Sequence, residues 1–204
     1  MIEHIYRPPV DPAGWTLLVL HGTGGSEQSL LPLAEAVAPA WGVLSPRGQV
    51  SENGALRFFR RFAEGVFDEE DLVQRAAELA AFVESSEVDL SKLVALGYSN
   101  GANMAAALML LHPRLLAGGV LIRPMVPIRP STLPDLSGKC ALALVGSFDN
   151  ITPPDGGRDL AGLLRSAGAE VDLVSLPAGH QLTREDVTHA SRWLDAIVAA
   201  ASKD

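Results

Sequence analysis

The chain has 204 residues, of which 48% are apolar, so it can bury one sizeable core but leaves little room for a second independent domain. Its formal net charge of −8, with one short basic cluster at 57–61, argues against nucleic acid or an anionic membrane as a partner. The single cysteine, Cys140, excludes an intramolecular disulfide. No signal-peptide pattern or apolar run of membrane-spanning length is present, so the sequence predicts a cytoplasmic protein without membrane contacts.

Strand-like and helix-like segments alternate along the chain. Short apolar runs bounded by Gly, Pro or polar residues are typical of buried parallel strands, and most stretches between them have helical spacing. The predicted strands cover 16–20, 42–44, 93–96, 119–122, 141–145 and 171–176, and the predicted helices cover 30–38, 69–83, 100–111, 156–166 and 184–200. Thr183 is the expected N-cap of the last helix. The alternation predicts one α/β domain over residues 1–204, with a doubly wound, mostly parallel sheet and helices on both faces.

The two longest irregular segments, 45–67 and 123–137, both follow the ends of predicted strands. In an open parallel sheet, ligands bind beyond the carboxyl ends of the strands, so both segments are predicted to form pocket walls or partial lids. Neither segment is long enough for an elaborate cap domain. Their apolar residues could also supply a homodimer interface, an alternative that the sequence leaves open.

The segment Gly97-Tyr98-Ser99-Asn100-Gly101 joins a predicted strand to a predicted helix. In this context a G-x-S-x-G pattern forms a nucleophile elbow, because the small residues let strand and helix approach closely while the serine hydroxyl projects into the cleft. The pattern therefore predicts Ser99 as a catalytic nucleophile. The alternative is a packing turn in which Ser99 only caps the helix.

A glycine-rich turn at 21–25 follows the first strong predicted strand. The second oxyanion donor of a hydrolase with such an elbow is expected here, so the backbone N–H groups of Thr23 and Asn100 are predicted to form the oxyanion hole. A phosphate-binding loop is the competing interpretation, but the glycine spacing matches neither a dinucleotide fingerprint nor a Walker loop. His21 fits a structural hydrogen bond better than the role of catalytic base.

A nucleophilic serine needs a histidine to accept its proton and a carboxylate to orient that histidine, and with such an elbow the chain order is Ser, acid, His. Asp149 lies in the loop after a predicted strand and is the predicted acid, whereas its rival Asp155 is equally explained as a helix cap. Of the five histidines, only His180 and His189 come after Asp149, and His189 falls within the last helix. His180, in a turn after a strand, is therefore the predicted base.

No metal site is predicted, because the histidines lack the spacing and the neighbouring carboxylates of a hydrolytic metal centre. Cys140 lies in an apolar run and is expected to fill the core rather than to act as a nucleophile or ligand.

Short motifs that carry a family resemblance occur throughout the chain, at 21–25, 44–48, 52–54, 57–61, 97–103 and 146–153. Together they resemble the bacterial carboxylesterase/phospholipase family of small α/β hydrolases, which is related to acyl-protein thioesterases and lysophospholipases. The basic cluster and the passage 67–72 resemble in particular the carboxylesterase branch associated with hydroquinone-stress operons. The resemblance implies an α/β-hydrolase fold with minimal or no cap domain, a triad of Ser99, Asp149 and His180, hydrolysis of carboxylic esters, and no cofactor.

Side chains near the expected site are predicted to contact the substrate, and they are Phe58, Phe59, Arg60, Met125, Phe148 and Ile151. In the basic cluster, the phenylalanines would face the substrate and an arginine would hold a carboxylate or phosphate. The equally supported alternative is an amphipathic turn, with the phenylalanines in the core and the arginines paired to Glu64 or Asp68. Core packing is likewise the alternative for the other three residues.

The sequence thus predicts a serine carboxylesterase that hydrolyses small ester molecules through an acyl-enzyme. A thioesterase or a lysophospholipase would use the same triad and differ in the leaving group and the acyl pocket. Dienelactone-hydrolase-like activity is less expected, because that chemistry would favour cysteine at the position of Ser99. The fold could also serve a non-catalytic ligand-binding protein, since fold alone does not define function.

Overall fold

A seven-stranded sheet with five α-helices packed on it makes up the computed structural model of the protein, which describes residues 2–201. The strands are β1 (His4–Arg7), β2 (Thr16–Leu20), β3 (Gly42–Pro46), β4 (Val50–Glu52), β5 (Ala55–Arg57), β6 (Arg61–Ala63), β7 (Val66–Phe67), β8 (Leu93–Tyr98), β9 (Gly118–Ile122), β10 (Cys140–Gly146) and β11 (Glu170–Leu176). The helices are α1 (Leu31–Val37), α2 (Glu69–Glu84), α3 (Asn100–Leu111), α4 (Pro154–Ser166) and α5 (Arg184–Ala201). No helix in this part of the chain is long and apolar enough to cross a membrane.

The strand order of the main sheet is β1-β3-β2-β8-β9-β10-β11, and every pair is parallel except β1 with β3. The six predicted strands and the five predicted helices are confirmed, with bounds shifted by up to two residues. Strand β1 was not predicted, because its four residues are mostly exposed at the sheet edge and carry no apolar run.

Alternate residues of the central strands pack against opposite helical layers. Leu18 and Leu20 of β2 face a core formed with α2, α3 and α4, whereas Leu17 and Val19 face a second core formed with α1 and α5. Because both faces of the sheet are covered, its central strands read as continuous apolar runs rather than as alternating ones. The predicted arrangement of helices on both faces is confirmed.

The start of α3 lies against the ends of β2 and β8 at the distance of a backbone contact. A Cβ atom on Gly101 would lie 2.0 Å from the carbonyl oxygen of Leu20, and a Cβ atom on Gly97 would lie 2.5 Å from the carbonyl oxygen of Gly101. Only glycine fits at either position without moving backbone. The contact holds Ser99, which lies between the two glycines, at the carboxyl edge of the sheet.

The segment 45–67 was predicted to be irregular, but it contains two short antiparallel hairpins, β4 with β5 and β6 with β7. In the first hairpin, Asn53 and Gly54 have φ values of 51° and 86°, which are the left-handed values of a two-residue type I′ turn. The prediction was wrong because strands of two or three residues are too short to show alternation. The segment 123–137, which the structure describes in full, forms neither helix nor strand, as predicted.

Helix α5 begins with the predicted cap. The Asp186 N–H donates to Thr183 Oγ1 at 3.3 Å, and the Asp186 carboxylate accepts from the Thr183 N–H at 2.7 Å. This reciprocal pair is a capping box in which aspartate takes the place of the usual glutamate.

Gly101→Ala is expected to lower the free energy of unfolding by about 3 kcal/mol or more, because the new methyl group meets the backbone of Leu20 rather than a flexible side chain. Urea denaturation measures this loss. Gly162→Ala in α4 is the matched control, since nothing lies within 4 Å of the added Cβ atom. Alanine there should stabilise the protein by up to about 1 kcal/mol. Equal stability of the two variants would contradict the backbone contact.

Candidate active site

Side chains that follow three strand ends converge at the carboxyl edge of the sheet. Ser99 comes directly after β8, Asp149 shortly after β10 and His180 shortly after β11. These strands are parallel, so their carboxyl ends meet at one edge, where open α/β sheets bind their ligands. The structure therefore brings together the three residues that the sequence predicted as a triad.

Ser99 has a φ of 53° and a ψ of −114°, a conformation that is strained for a residue with a side chain. Its N–H donates to the Ile122 carbonyl at 2.8 Å, and its carbonyl accepts from the Asn103 N–H at 3.0 Å, so the backbone is held on both sides. Ser99 occupies the N-cap position of α3, but its hydroxyl makes no capping hydrogen bond. The Ser99 Oγ atom lies instead 3.1 Å from His180 Nε2.

The other ring nitrogen of His180, Nδ1, lies 2.8 Å from Asp149 Oδ2. An ionised carboxylate can only accept hydrogen bonds, so Nδ1 carries the ring proton and Nε2 presents its lone pair to Ser99. The His180 side chain is 18% exposed and that of Asp149 is fully buried. Solvent can therefore reach the histidine but not the carboxylate.

Asp149 accepts hydrogen bonds from the loop that leads to α4. Its Oδ1 accepts from the N–H groups of Ile151 at 2.8 Å and Thr152 at 2.9 Å, and its Oδ2 accepts from the Thr152 hydroxyl at 2.5 Å. Burial by itself raises the pKa of Asp149, but these bonds and the one from His180 outweigh burial, and the pKa lies below its ordinary value. Asp149 is therefore a carboxylate at neutral pH.

The rival candidates have other environments. Asp155 lies in the first turn of α4, where its exposed carboxylate accepts from Arg158 at 2.6 Å. His21 is buried, with Nδ1 donating to the Gly22 carbonyl at 2.7 Å and Nε2 accepting from the Gly48 N–H at 3.0 Å. Burial lowers the pKa of His21, which stays neutral and structural, as predicted.

The backbone N–H groups of Thr23 and Asn100 have no acceptor within residues 2–201. Asn100 begins α3, and the first amides of a helix lack partners within it. The contact of Gly101 with Leu20 brings the helix start and the turn after β2 together beside Ser99. The arrangement can present two amide donors and the positive end of a helix dipole to a developing oxyanion.

The β4–β5 hairpin holds the turn that carries Thr23. The Gly24 N–H donates to the Leu56 carbonyl at 2.8 Å, and Arg57 Nη1 donates to Thr23 Oγ1 at 2.6 Å. Arg57 is itself buried, and its Nε lies 3.2 Å from a Glu52 carboxylate oxygen. The Arg57 charge is thus engaged within the protein and supports the backbone near Ser99.

Phe58 and Phe59 are buried in the core rather than facing a substrate, and that prediction was wrong. They are 4% and 0% exposed and belong to the main core, where Phe58 packs against His21 with ring centroids 4.7 Å apart. Burying an aromatic ring stabilises the fold more than leaving it on an open wall, and the core accommodates both rings. Arg60 is exposed and pairs with Asp68 at 3.1 Å, and its contact with substrate stays a prediction. The alternative of an amphipathic turn with paired arginines describes this segment.

Met125, Phe148 and Ile151 lie on loops at the same edge of the sheet. Met125 is half-buried beside α4, whereas Phe148 and Ile151, which flank Asp149, are 70% and 47% exposed. Exposed apolar side chains beside reactive groups are available to a ligand. Their contact with a substrate stays a prediction.

Tyr98, Arg123, Thr152 and Asp186 support this edge and were not predicted to do so. The Tyr98 hydroxyl donates to the His180 carbonyl at 3.0 Å, and Thr152 holds Asp149 as described above. Arg123 and Asp186 form a fully buried ion pair at 2.8 Å. One signal was present in the sequence: Arg123 follows a buried strand directly, and a charge in that position needs a buried partner.

Within residues 2–201, no group of three or more His, Cys, Asp or Glu side chains is arranged to hold a metal ion. A hollow of about 560 Å³ lies at the opposite, amino edge of the sheet, beside Trp15, Cys140 and Trp193. It contains none of the three converging residues. The hydrogen-bonded chain at the carboxyl edge, not the volume of this hollow, marks the candidate site.

The family model described as "Dienelactone hydrolase family" matches residues 47–204. The putative hydrolase MhqD of Bacillus subtilis strain 168 is 41% identical over 202 residues, which cover 97% of this chain and 100% of that protein. The carboxylesterase of Bacillus cereus is 45% identical with a TM-score of 0.93, over 96% of this chain and 94% of that one. YahD, solved with malic acid, is 30% identical with a TM-score of 0.87, over 96% and 99%.

Arabidopsis thaliana SOBER1 is 21% identical with a TM-score of 0.79, over 90% of this chain and 99% of that one, a likeness of fold alone. The expected α/β-hydrolase fold and the resemblance to small carboxylesterases are confirmed by these matches.

Asp149→Asn should destabilise the protein by about 2 kcal/mol at pH 7, because the asparagine amide cannot accept all the hydrogen bonds that the carboxylate accepts. The native pKa of Asp149 is depressed, so its contribution is complete above the unfolded pKa of about 3.9 and declines as the pH falls through the native pKa. Urea titrations at several pH values should show wild type and variant converging below about pH 4. Asp155→Asn, on an exposed carboxylate, is the control and should change the free energy of unfolding little at pH 7. If the difference in free energy of unfolding between wild type and Asp149→Asn did not shrink in acid, the depressed native pKa of Asp149 would be contradicted.

Proposed function

This chain belongs to the dienelactone hydrolase family of α/β hydrolases, and we propose that it is a serine carboxylesterase that hydrolyses small carboxylic esters through an acyl-enzyme. The coarser activity, that of a hydrolase of the dienelactone hydrolase and carboxylesterase type, follows from the family and its relatives. The observation that carries the finer proposal is the continuous chain from Ser99 Oγ to His180 at 3.1 Å and from His180 to Asp149 at 2.8 Å.

In the first half of the reaction, Ser99 Oγ attacks the ester carbonyl carbon while His180 Nε2 takes the hydroxyl proton. The Nδ1–H bond to Asp149 fixes the tautomer in which Nε2 is the base, and the buried carboxylate stabilises the imidazolium that forms. His180 then gives this proton to the leaving alkoxide, so the alcohol departs neutral and the acyl group stays on Ser99.

The carbonyl oxygen becomes an oxyanion as Ser99 adds to the carbon. The unpartnered N–H groups of Thr23 and Asn100 are the donors that we assign to it. Each such donor is worth about 3 kcal/mol of transition-state stabilisation in a site that excludes water. In the second half, His180 Nε2 takes a proton from water as the water oxygen attacks the acyl carbon. His180 then gives this proton to Ser99 Oγ as the bond between Oγ and the acyl carbon breaks and the acid is released.

Small esters fit the proposal best, because residues 2–201 form no cap domain over the carboxyl edge, where Phe148 and Ile151 are exposed. A thioesterase or a lysophospholipase would use the same residues with a different leaving group or a deeper acyl groove. YahD was solved with malic acid. Monoesters of dicarboxylic acids therefore belong among the substrates to be tested.

The decisive test compares wild type with Ser99→Ala on p-nitrophenyl esters of increasing acyl length, a dicarboxylic acid monoester, an acyl thioester and a lysophospholipid. We expect turnover of short esters by the wild type and a loss of at least about 1,000-fold in kcat for the variant, since the nucleophile is gone. Full turnover by Ser99→Ala would overturn the proposal. A wild type that prefers the thioester or the lysophospholipid would reassign the substrate and leave the triad in place.

Thiol reagents should leave turnover unchanged, which separates a serine from a cysteine nucleophile. Burial, with the charges of Glu170 and Asp172 nearby, raises the pKa of Cys140 to about 11. Its alkylation by iodoacetamide at pH 8 should be roughly 100-fold slower than that of a small free thiol. Mass spectrometry measures the labelling and the ester assay measures activity. Inactivation that parallels labelling would contradict the serine mechanism, because Cys140 starts β10 at the amino edge, far from Ser99.

A further inference from the structure

The turn that carries His180 has three consecutive peptide carbonyls, and each accepts a hydrogen bond from a side chain behind it. The carbonyls of Gly179 and Gln181 accept from Arg123, at 2.9 Å and 3.1 Å, and the His180 carbonyl accepts from the Tyr98 hydroxyl at 3.0 Å. These carbonyls belong to no strand or helix. Arg123 and Tyr98 therefore supply the hydrogen bonds that a neighbouring strand would otherwise give to these peptide groups.

Arg123 uses every N–H group of its guanidinium. Nε donates to Gly179, Nη1 to the Leu144 carbonyl at 3.3 Å and to Asp186 at 2.8 Å, and Nη2 to Gln181 and to Asp186 at 3.0 Å. Five donors in a planar fork meet five acceptors. The side chain is fully buried, so no solvent competes for these bonds.

The carboxylate that balances this charge lies at the start of α5. Asp186 accepts from both terminal nitrogens of Arg123 and from the backbone N–H and hydroxyl of Thr183. Arg123 thus connects three elements: the end of β9, the start of α5 and the turn of His180.

The backbone of Arg123 has a φ of 56°, in the left-handed region that residues with side chains rarely adopt. Its N–H donates to the Leu144 carbonyl at 2.8 Å, so the turn is held in this conformation. Strained backbone of this kind persists where the surroundings over-determine it, and it occurs often beside functional sites.

We propose that Arg123, with Asp186 as its counter-ion, is a positioning residue for His180: it fixes the peptide planes on either side of the histidine, so the imidazole stays between Ser99 and Asp149. The inference rests on the proposed function, in which His180 is the base. Arg123 touches no reacting atom and acts only through the turn.

Proton transfer requires the base within hydrogen-bond reach of the hydroxyl, and a displacement of about 1 Å can reduce the rate about 100-fold. Without the Arg123 donors, the Gly179 and Gln181 carbonyls would turn toward water and carry the ring with them. The alternative account is that the ion pair only keeps α5 docked and so contributes to stability alone. The two accounts differ in what they predict for a variant that stays folded.

The test compares Arg123→Met and the double variant Arg123→Met/Asp186→Leu with wild type. The single variant leaves a buried carboxylate unpaired and should have a markedly lower melting temperature, whereas the double variant removes both charges and should recover much of this loss. We expect the double variant to lose about 100-fold in kcat with KM little changed, because ground-state binding does not depend on the base. In the double variant, the far-downfield NMR signal of the His180 Nδ1 proton, which is hydrogen-bonded to Asp149, should weaken or vanish.

Leu194→Ala is the matched control for stability. Leu194 is buried in α5, eight residues beyond Asp186, and belongs to the core that α1 and α5 form on one face of the sheet. This variant should lower the melting temperature and keep wild-type kcat and the wild-type signal. Tyr98→Phe, which removes only the hydroxyl bonded to the His180 carbonyl, should lower kcat less than the double variant does.

A folded double variant with wild-type kcat and an unchanged histidine signal would overturn the inference, and so would a kcat loss in Leu194→Ala as large as in the double variant. Ser99→Ala, assayed in parallel, separates the two proposals. If it is inactive while the double variant is fully active, only the positioning role of Arg123 fails. If it is active, the proposed function fails and this inference fails with it.

Discussion

The backbone contact between the start of α3 and the end of β2 is the constraint on which the rest of the site depends. Gly101 lies so close to the Leu20 carbonyl that no side chain fits between them. This contact brings the first amide of the helix beside the turn that follows β2. Under the proposed function, the two oxyanion donors come from segments far apart in sequence, and because both are backbone N–H groups, neither depends on its own side chain.

Around this contact, irregular backbone is held by side chains rather than by strands. Arg57 supports the turn of Thr23 on one flank, and Arg123 supports the turn of His180 on the other. Both arginines are buried and each has a carboxylate partner, Glu52 or Asp186. Although acidic residues outnumber basic ones, two arginines are thus buried. Their side chains donate to backbone carbonyls that have no hydrogen-bond partner in a strand or helix.

Much of this architecture could be predicted from the sequence, because buried parallel strands and the elbow have local patterns. The order of Ser99, Asp149 and His180 along the chain was informative, since the fold determines which strand ends meet. The sequence could not show whether the basic cluster at 57–61 lines a pocket or packs into the core. Its mixture of aromatic and charged residues fits both arrangements equally. Arg123 and Asp186 are 63 positions apart, so no local pattern could pair them. Strand β1 was missed because an exposed edge strand needs no apolar run.

The left-handed backbone at Ser99 and at Arg123 costs stability at both positions. Each such residue costs about 1–3 kcal/mol, and the net stability of a domain is only about 5–15 kcal/mol. At Arg123, glycine would relieve this strain but leave the buried carboxylate of Asp186 unpaired, so the ion pair itself retains the arginine. At Ser99, glycine would relieve the strain and remove only a half-buried hydroxyl. Under the proposed function, a lineage released from hydrolysis would therefore drift toward glycine at Ser99 and keep both Arg123 and the fold.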